Sequence, residues 1–351
     1  MKNKNKIWLS PPHMSGEEIS YVNQAFDTNW IAPLGPNVIG FEKDISKLTN
    51  AKHVKVLSSG TAAIHLALIM LNVKPNDEVI CSSFTFSASA NPICYLNAKP
   101  IFVDSENETW NMCPNLLEQA IIDRIQKNKK PKAIILVHLY GMPSKMTEII
   151  KISKKYSIPV IEDAAESLGA KYNDKYLGTF GKMGIFSFNG NKIITTSGGG
   201  ALVTKDKKMS EKALFLSTQS RDKAPHYQHS HIGYNYRMSN VLAGIGRGQI
   251  RVLNDRVKAR RRIFNYYFKH LSQYSFISFQ DELEGFYSNR WLSCIITKSF
   301  NMREMIRKKL EFNNIEARPL WKPMHKQPIF KKYPYYGNGV SDDIFNRGLC
   351  L

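Results

Sequence analysis

The chain has 351 residues, 43% hydrophobic and 22% charged, an ordinary globular composition long enough for a large core and two lobes. Its 49 basic and 29 acidic side chains leave a formal charge of +20, a balance that suits nucleic acid, membrane surfaces or anionic small ligands. No nucleic-acid-reading motif accompanies that charge, and no apolar run nears the roughly 20 residues of a membrane span, so neither partner is expected.

The basic start, Met1-Lys-Asn-Lys-Asn-Lys6, leads into no long apolar stretch, so no signal peptide is expected and the cytoplasm is the default compartment. From about residue 55 to 205, short apolar runs alternate with helical patterns. Ala63, Leu66, Ala67, Met70 and Leu71 share one helical face. Val79-Ile-Cys-Ser82, Ile101-Phe-Val103, Ala133-Ile-Ile-Leu-Val137, Ile158-Pro-Val-Ile161, Gly184-Ile-Phe-Ser187 and Ala201-Leu-Val203 predict strands buried on both faces, as in an α/β sheet. The run Lys127-Asn-Lys-Lys-Pro-Lys132 reads as a solvated loop between elements. A long basic helix is predicted from near Asn240 past Arg262, and strands near Ser288 to Thr297. These elements divide the chain into an N-terminal arm and large lobe over 1–240, a linking helix over 241–262, and a smaller α+β lobe over 263–351. Five cysteines (Cys81, Cys94, Cys113, Cys294 and Cys350) without paired spacing argue against a disulfide framework and against zinc, and no metal is expected.

Four stretches carry candidate chemistry. Ser58-Ser-Gly-Thr-Ala-Ala63 opens the amphipathic helix, where free amides favour an anion such as phosphate, although taken alone a plain cap is the commoner explanation. Asp163 follows an apolar strand, at the kind of strand end where open α/β sheets bind ligands, and its residue type also suits a helix cap. Lys192 comes after Gly184-Ile-Phe-Ser-Phe-Asn-Gly-Asn and before Thr195-Thr-Ser-Gly-Gly-Gly200. A lysine amine there can form a Schiff base with an aldehyde and, once freed, act as a base. The three glycines lack the spacing of a nucleotide phosphate loop. Gly233-Tyr-Asn-Tyr-Arg-Met-Ser-Asn240 precedes the long helix and by itself yields no role.

The order Ser-Gly-Thr-Ala, Phe84-Thr-Phe86, Lys99-Pro-Ile-Phe-Val-Asp104, Glu162-Asp-Ala-Ala165, Ser187-Phe-Asn-Gly-Asn-Lys192 and Gly233-Tyr-Asn-Tyr-Arg237 resembles the DegT/DnrJ/EryC1/StrS sugar aminotransferases over nearly the whole chain. Within that family, Asn189 to Gly200 and Arg318-Pro-Leu-Trp-Lys-Pro-Met-His325 most resemble the transaminases of the bacillosamine pathway, which act on a UDP-linked 4-keto-6-deoxy-N-acetylhexosamine with glutamate as donor. Many members have histidine where this chain has Asn189. Members also usually continue through a proline-containing turn into a final helix, whereas this chain stops at Gly348-Leu-Cys-Leu351, so a shortened small lobe is expected.

The resemblance implies an aspartate-aminotransferase-like α/β fold of fold type I, a large doubly wound cofactor-binding lobe, and a homodimer with shared active sites. It implies pyridoxal 5′-phosphate as cofactor. Lys192 matches the Schiff-base lysine, and Asp163 the carboxylate that pairs with the pyridine nitrogen. Phe86 matches the stacking ring, Thr61, Ala62 and Ser187 match phosphate contacts, and Glu166 lies near the ring. Asn235 matches a phosphate contact reaching into the other subunit. Trp30, Arg318, Trp321, Lys322 and His325 fall in segments that resemble the substrate side. Two alternatives stand beside this reading. One is a pyridoxamine-dependent sugar dehydratase of the same fold, in which histidine replaces the lysine that this chain keeps. The other is a non-catalytic binding or truncated homologue.

Overall fold

The computed structural model describes residues 5–351; the first four residues of the basic arm lie outside the described residues. Eight strands form the large sheet in the order His53–Leu57, Gly200–Thr204, Met183–Ser187, Val160–Asp163, Ala133–Val137, Glu78–Ser82, Lys99–Val103 and Tyr335–Tyr336. Gly200–Thr204 runs antiparallel to both its neighbours, and the other seven share one direction. All six predicted strands are present, each within a few residues of its expected limits.

Their continuous apolar runs serve two cores at once. In Ala133–Val137, Ala133 and Ile135 face the core beneath helices Gly60–Met70 and Ser87–Tyr95. Ile134 and Leu136 face the core beneath Pro114–Gln126 and Met146–Tyr156. Side chains alternate across a strand, so a strand covered on both faces must be apolar at every position. Each such fully buried aliphatic side chain contributes about 1.5–3 kcal/mol. The run Lys127 to Lys132 is a mostly exposed loop joining helix Pro114–Gln126 to that central strand.

The second lobe departs from the predicted divisions in three ways. The linking helix is two helices, Asn240–Arg251 and Leu253–Leu271, broken at Val252 (φ −102°, ψ 7°), and the second extends nine residues beyond 262. The segment after 263 is not one separate lobe, because Tyr335–Tyr336 returns to pair with Lys99–Val103 of the large sheet. The N-terminal arm belongs spatially to the small lobe: Ile7 bridges Ile315, and Leu9 donates its amide to Glu316 at 3.1 Å. The small sheet runs Ile277–Phe279, Cys294–Thr297, Gly348–Cys350, Arg318–Pro319, with each pair antiparallel. The final residues are therefore an inner strand of that sheet. Residues 288–293, ahead of strand Cys294–Thr297, are a buried loop and not a strand.

Candidate active site

The carboxyl ends of the parallel strands converge on one cavity of about 800 Å³, to whose walls the small lobe and the arm contribute. Ser59 to Thr61, Thr85 to Ser89, Asp163, Glu166, Ser187, Lys192, Trp291 and Arg318 to Lys322 line it. This is the position at which an open α/β sheet holds a ligand.

One end of the cavity is an anion cup. Ser59 caps helix Gly60–Met70, its hydroxyl accepting the Ala62 amide at 3.0 Å. The helix start points its first amides and its positive dipole end towards the cavity. Ser187, at the end of its strand, sits beside Gly60, since a side chain on Gly60 would come within 3.2 Å of Ser187 Cβ. Gly200 lies behind the same turn. A Cβ there would collide with the Gly60 amide and stand 2.6 Å from the Ser59 carbonyl oxygen. The expected contact from Ala62 is corrected here: its amide is spent on the Ser59 cap, and its side chain is buried outside the cavity.

Deeper in the cavity, Asp163 accepts the Ser89 hydroxyl at 2.6 Å on Oδ2 and the Ala165 amide at 3.2 Å on Oδ1. Lys192 hangs on a short turn after strand Met183–Ser187, its amide donating to the Asn189 carbonyl at 3.0 Å. The turn is held from the other lobe, because the Asn191 carbonyl accepts both the Trp291 indole N–H and the Ser10 hydroxyl at 2.8 Å. Lys192 Nζ stands 3.7 Å from Glu166 Oε1 and 4.1 Å above the Trp291 ring. Burial pushes the Glu166 carboxyl up from its ordinary value, against the opposing pull of the Lys192 charge and the Tyr140 amide.

Tyr140 ties this cluster to the rim. Its amide donates to Glu166 Oε2 at 2.6 Å, and its hydroxyl accepts the Trp321 amide at 3.0 Å. Its backbone is left-handed (φ 53°, ψ 21°), an uncommon conformation for a bulky side chain and one that clusters at functional sites. Phe86, 56% exposed, presents its ring to the cavity and meets Trp321 edge-on at 4.8 Å. Arg318 and Lys322 lie on the rim, with the Arg318 side chain 70% exposed and bonded to Glu316 at 2.7 Å.

The structure does not bring every expected residue into this cavity. His325 turns away, wedged between the Ser83 hydroxyl at 2.7 Å and Asp342 at 3.1 Å and stacked on Tyr335 at 3.7 Å. Both of its ring nitrogens face protein groups away from the cavity, which it does not line. Trp30 is exposed outside the cavity on a loop held by Asn240, which donates to the Trp30 carbonyl at 2.7 Å. Asn235 is also exposed and outside it, bridged to Thr218. Conversely, Ser89, Tyr140, Trp291, Ser10 and Glu316 belong to the site and carried no signal as single residues in the sequence.

The donor set fits pyridoxal phosphate. The helix start with Thr61 and Ser187 suits a phosphate, Gly200 lets the strand pack directly against the turn at Ser59 and Gly60, and Asp163 and Lys192 add a carboxylate and an amine to the same cavity. The profile of the DegT/DnrJ/EryC1/StrS aminotransferase family matches residues 12–351. The chain belongs to this family. It is similar to the Bacillus subtilis (strain 168) protein EpsN, provisionally named a pyridoxal phosphate-dependent aminotransferase, at 52% identity over 99% of this chain and 90% of that protein. It is 38% identical to a GDP-perosamine synthase of Escherichia coli O157:H7, over 97% of this chain and 91% of that one. Its structure superposes on a DegT/DnrJ/EryC1/StrS aminotransferase of Brucella abortus with a TM-score of 0.90 and 28% identity, covering 96% and 90% of the two chains. This family member is a pyridoxal-phosphate-dependent sugar aminotransferase, and its α/β architecture is that of fold type I. Among the described residues, no helix is long and apolar enough to cross a membrane.

Proposed function

We propose that this aminotransferase moves an amino group from glutamate to C4 of a UDP-linked 4-keto-6-deoxy-N-acetylhexosamine, in the synthesis of sugars for surface glycans or glycoproteins. The observation that carries the reading is the rim segment Arg318 to Lys322. It combines an exposed guanidinium, an ammonium and the Trp321 ring beside the reactive lysine. An arginine fork suits diphosphate oxygens, and a flat indole suits a sugar or base face. The likeness of Asn189 to Gly200 and of Arg318 to His325 to the bacillosamine-pathway enzymes supports the choice of sugar.

Pyridoxal phosphate, when bound, supplies the electron sink that lets nitrogen pass between two carbon skeletons. The chain's own residues do the rest. Thr61, Ser187 and the first amides of helix Gly60–Met70 hold the phosphate. Asp163 would pair with the ring nitrogen and favour its protonated form. Phe86, whose ring lines the cavity, would cover one face of the cofactor ring and orient it. Lys192 Nζ would anchor the cofactor and, once freed, take and return one proton in each half-reaction, a task a single base can serve twice. Glu166, beside Nζ, holds the amine in place.

The active form in this reading is a homodimer. Trp30, Ile31 and Leu34 are 42%, 50% and 56% exposed on one loop, an apolar surface that a second copy would cover. Asn235, outside its own cavity, is then free to reach the partner's phosphate site. A second reading, a GDP-linked sugar, is favoured by the 38% identity to a GDP-perosamine synthase. The test is a panel of keto-sugars carried on UDP, dTDP and GDP and assayed with glutamate. The UDP-linked 4-keto-6-deoxy-N-acetylhexosamine is expected to be turned over best. A clear preference for a GDP- or dTDP-linked sugar, or for a C3 ketone, overturns the assignment.

A further inference from the structure

Behind Asp163 lie two buried hydroxyls. Ser89 donates to Asp163 Oδ2 at 2.6 Å, and Thr85 Oγ1 lies 2.7 Å from Ser89 Oγ. Both residues are 1% exposed, and both line the cavity floor. They are brought together by the start of helix Ser87–Tyr95, with Thr85 just before it and Ser89 in its first turn.

The direction of this chain follows from proton counting. Each hydroxyl has one proton. That of Ser89 is committed to Asp163, which as a carboxylate can only accept. The proton between Thr85 and Ser89 must therefore come from Thr85, so Thr85 donates to Ser89 and Ser89 to Asp163. Hydrogen bonds linked head to tail polarise one another, most of all where water is excluded. A carboxylate oxygen has room for a second donor, so Oδ2 can accept Ser89 and still meet a group in the cavity.

We propose that Thr85 and Ser89 form a two-hydroxyl relay that sets how firmly Asp163 stays charged against the cofactor's ring nitrogen, which makes Ser89 a positioning residue of the reaction. The proposal rests on the cofactor placement given above. A hydroxyl donating to a carboxylate stabilises its charged form. Without that donor the carboxylate is a weaker partner for a protonated ring nitrogen, which would then hold its positive charge less firmly. A positive ring lowers the pH at which the bound chromophore gives up the proton responsible for its visible band. Losing that charge moves the midpoint up.

The experiment is a spectrophotometric pH titration of cofactor-loaded protein without amino acid, on wild type, Ser89→Ala, Ser89→Thr and Thr85→Val. Ser89→Ala is expected to raise the midpoint by about one pH unit, the worth of one hydrogen bond to a charged group. It should lower kcat by about tenfold while the glutamate KM stays within about twofold, since the interaction acts after binding. Ser89→Thr restores both values. Thr85→Val, which keeps the Ser89 hydroxyl, moves the midpoint the same way by less. If Ser89→Ala fails to fold, Thr85→Val alone decides. A midpoint unmoved in the variants that fold, beside a normal wild-type band, overturns the relay. A wild-type protein with no visible band at all fails the cofactor placement instead.

Discussion

Replacing Asp104 by asparagine should loosen the join between the two lobes. Asp104 is fully buried at the end of strand Lys99–Val103. Its Oδ2 accepts the Tyr335 hydroxyl at 2.6 Å and the amides of Asn338, Gly339 and Val340 at 3.2, 2.9 and 3.1 Å. Its Oδ1 accepts the amides of Ser105 and Ser341 at 2.8 and 3.0 Å. One carboxylate thus caps helix Val340–Arg347 and fixes the returning strand Tyr335–Tyr336 to the large sheet. Asparagine keeps one oxygen and turns the other position into a donor. Whichever way it sits, at least two donors then face an N–H. At about 1–3 kcal/mol for each buried donor left unsatisfied, the loss is about 2–6 kcal/mol.

The pH dependence has a definite sign. Burial works to raise the Asp104 pKa, but hydrogen bonds from Ser341, Tyr335 and Ser105 outweigh it and hold the carboxyl below its usual range. A depressed native pKa gives stability that is fully present above the unfolded value, about 3.9, and lost as pH falls through the native one. Urea unfolding of both proteins should therefore show a constant gap from about pH 5 to about pH 8 that closes below about pH 4. Hydrogen exchange at amides 338–341 should quicken in the variant. A gap under about 1 kcal/mol at neutral pH, or one that widens in acid, would refute the reasoning.

Two further outcomes follow from the site. Gly200→Ala drives a methyl group into the turn at Ser59 and Gly60, and overpacking of about 1–3 kcal/mol should weaken pyridoxal phosphate binding about 10- to 100-fold in equilibrium dialysis. Unchanged affinity would show that the cup does not hold the phosphate. Lys192→Ala mixed with an Asn235 variant that is itself inactive should regain activity in verified heterodimers, since one site of each pair would be whole. No recovery would rule out shared sites.

The central strands were legible because strands covered on both faces need apolar residues throughout, as in Ala133 to Val137. The edge strand His53–Leu57 was missed because Lys55 and His53 interrupt its apolar residues, which is normal where one face is less covered. Tyr335–Tyr336 is too short to carry a period, and it is held in place by Asp104 from far away in the chain. The break at Val252 has no proline or glycine at it, so nothing local announced it. The place of Lys192 and Asp163 in the cavity could be read from their strand ends and their motif order. Ser89, Tyr140 and Trp291 could not, since each meets a site residue only through a distant part of the chain. His325 shows the converse: a residue type suited to phosphate, in the right segment, whose ring is used up by Ser83 and Asp342.

The central claim is that Lys192 carries the cofactor and gives it up to an amino donor. Borohydride reduction of the loaded protein, with and without prior glutamate, followed by peptide mass analysis, tests it most directly. The predicted result is a cofactor label on the Lys192 peptide that disappears when glutamate is added first, with oxoglutarate released. A label on any other lysine, or one on Lys192 that glutamate leaves unchanged, would contradict the account.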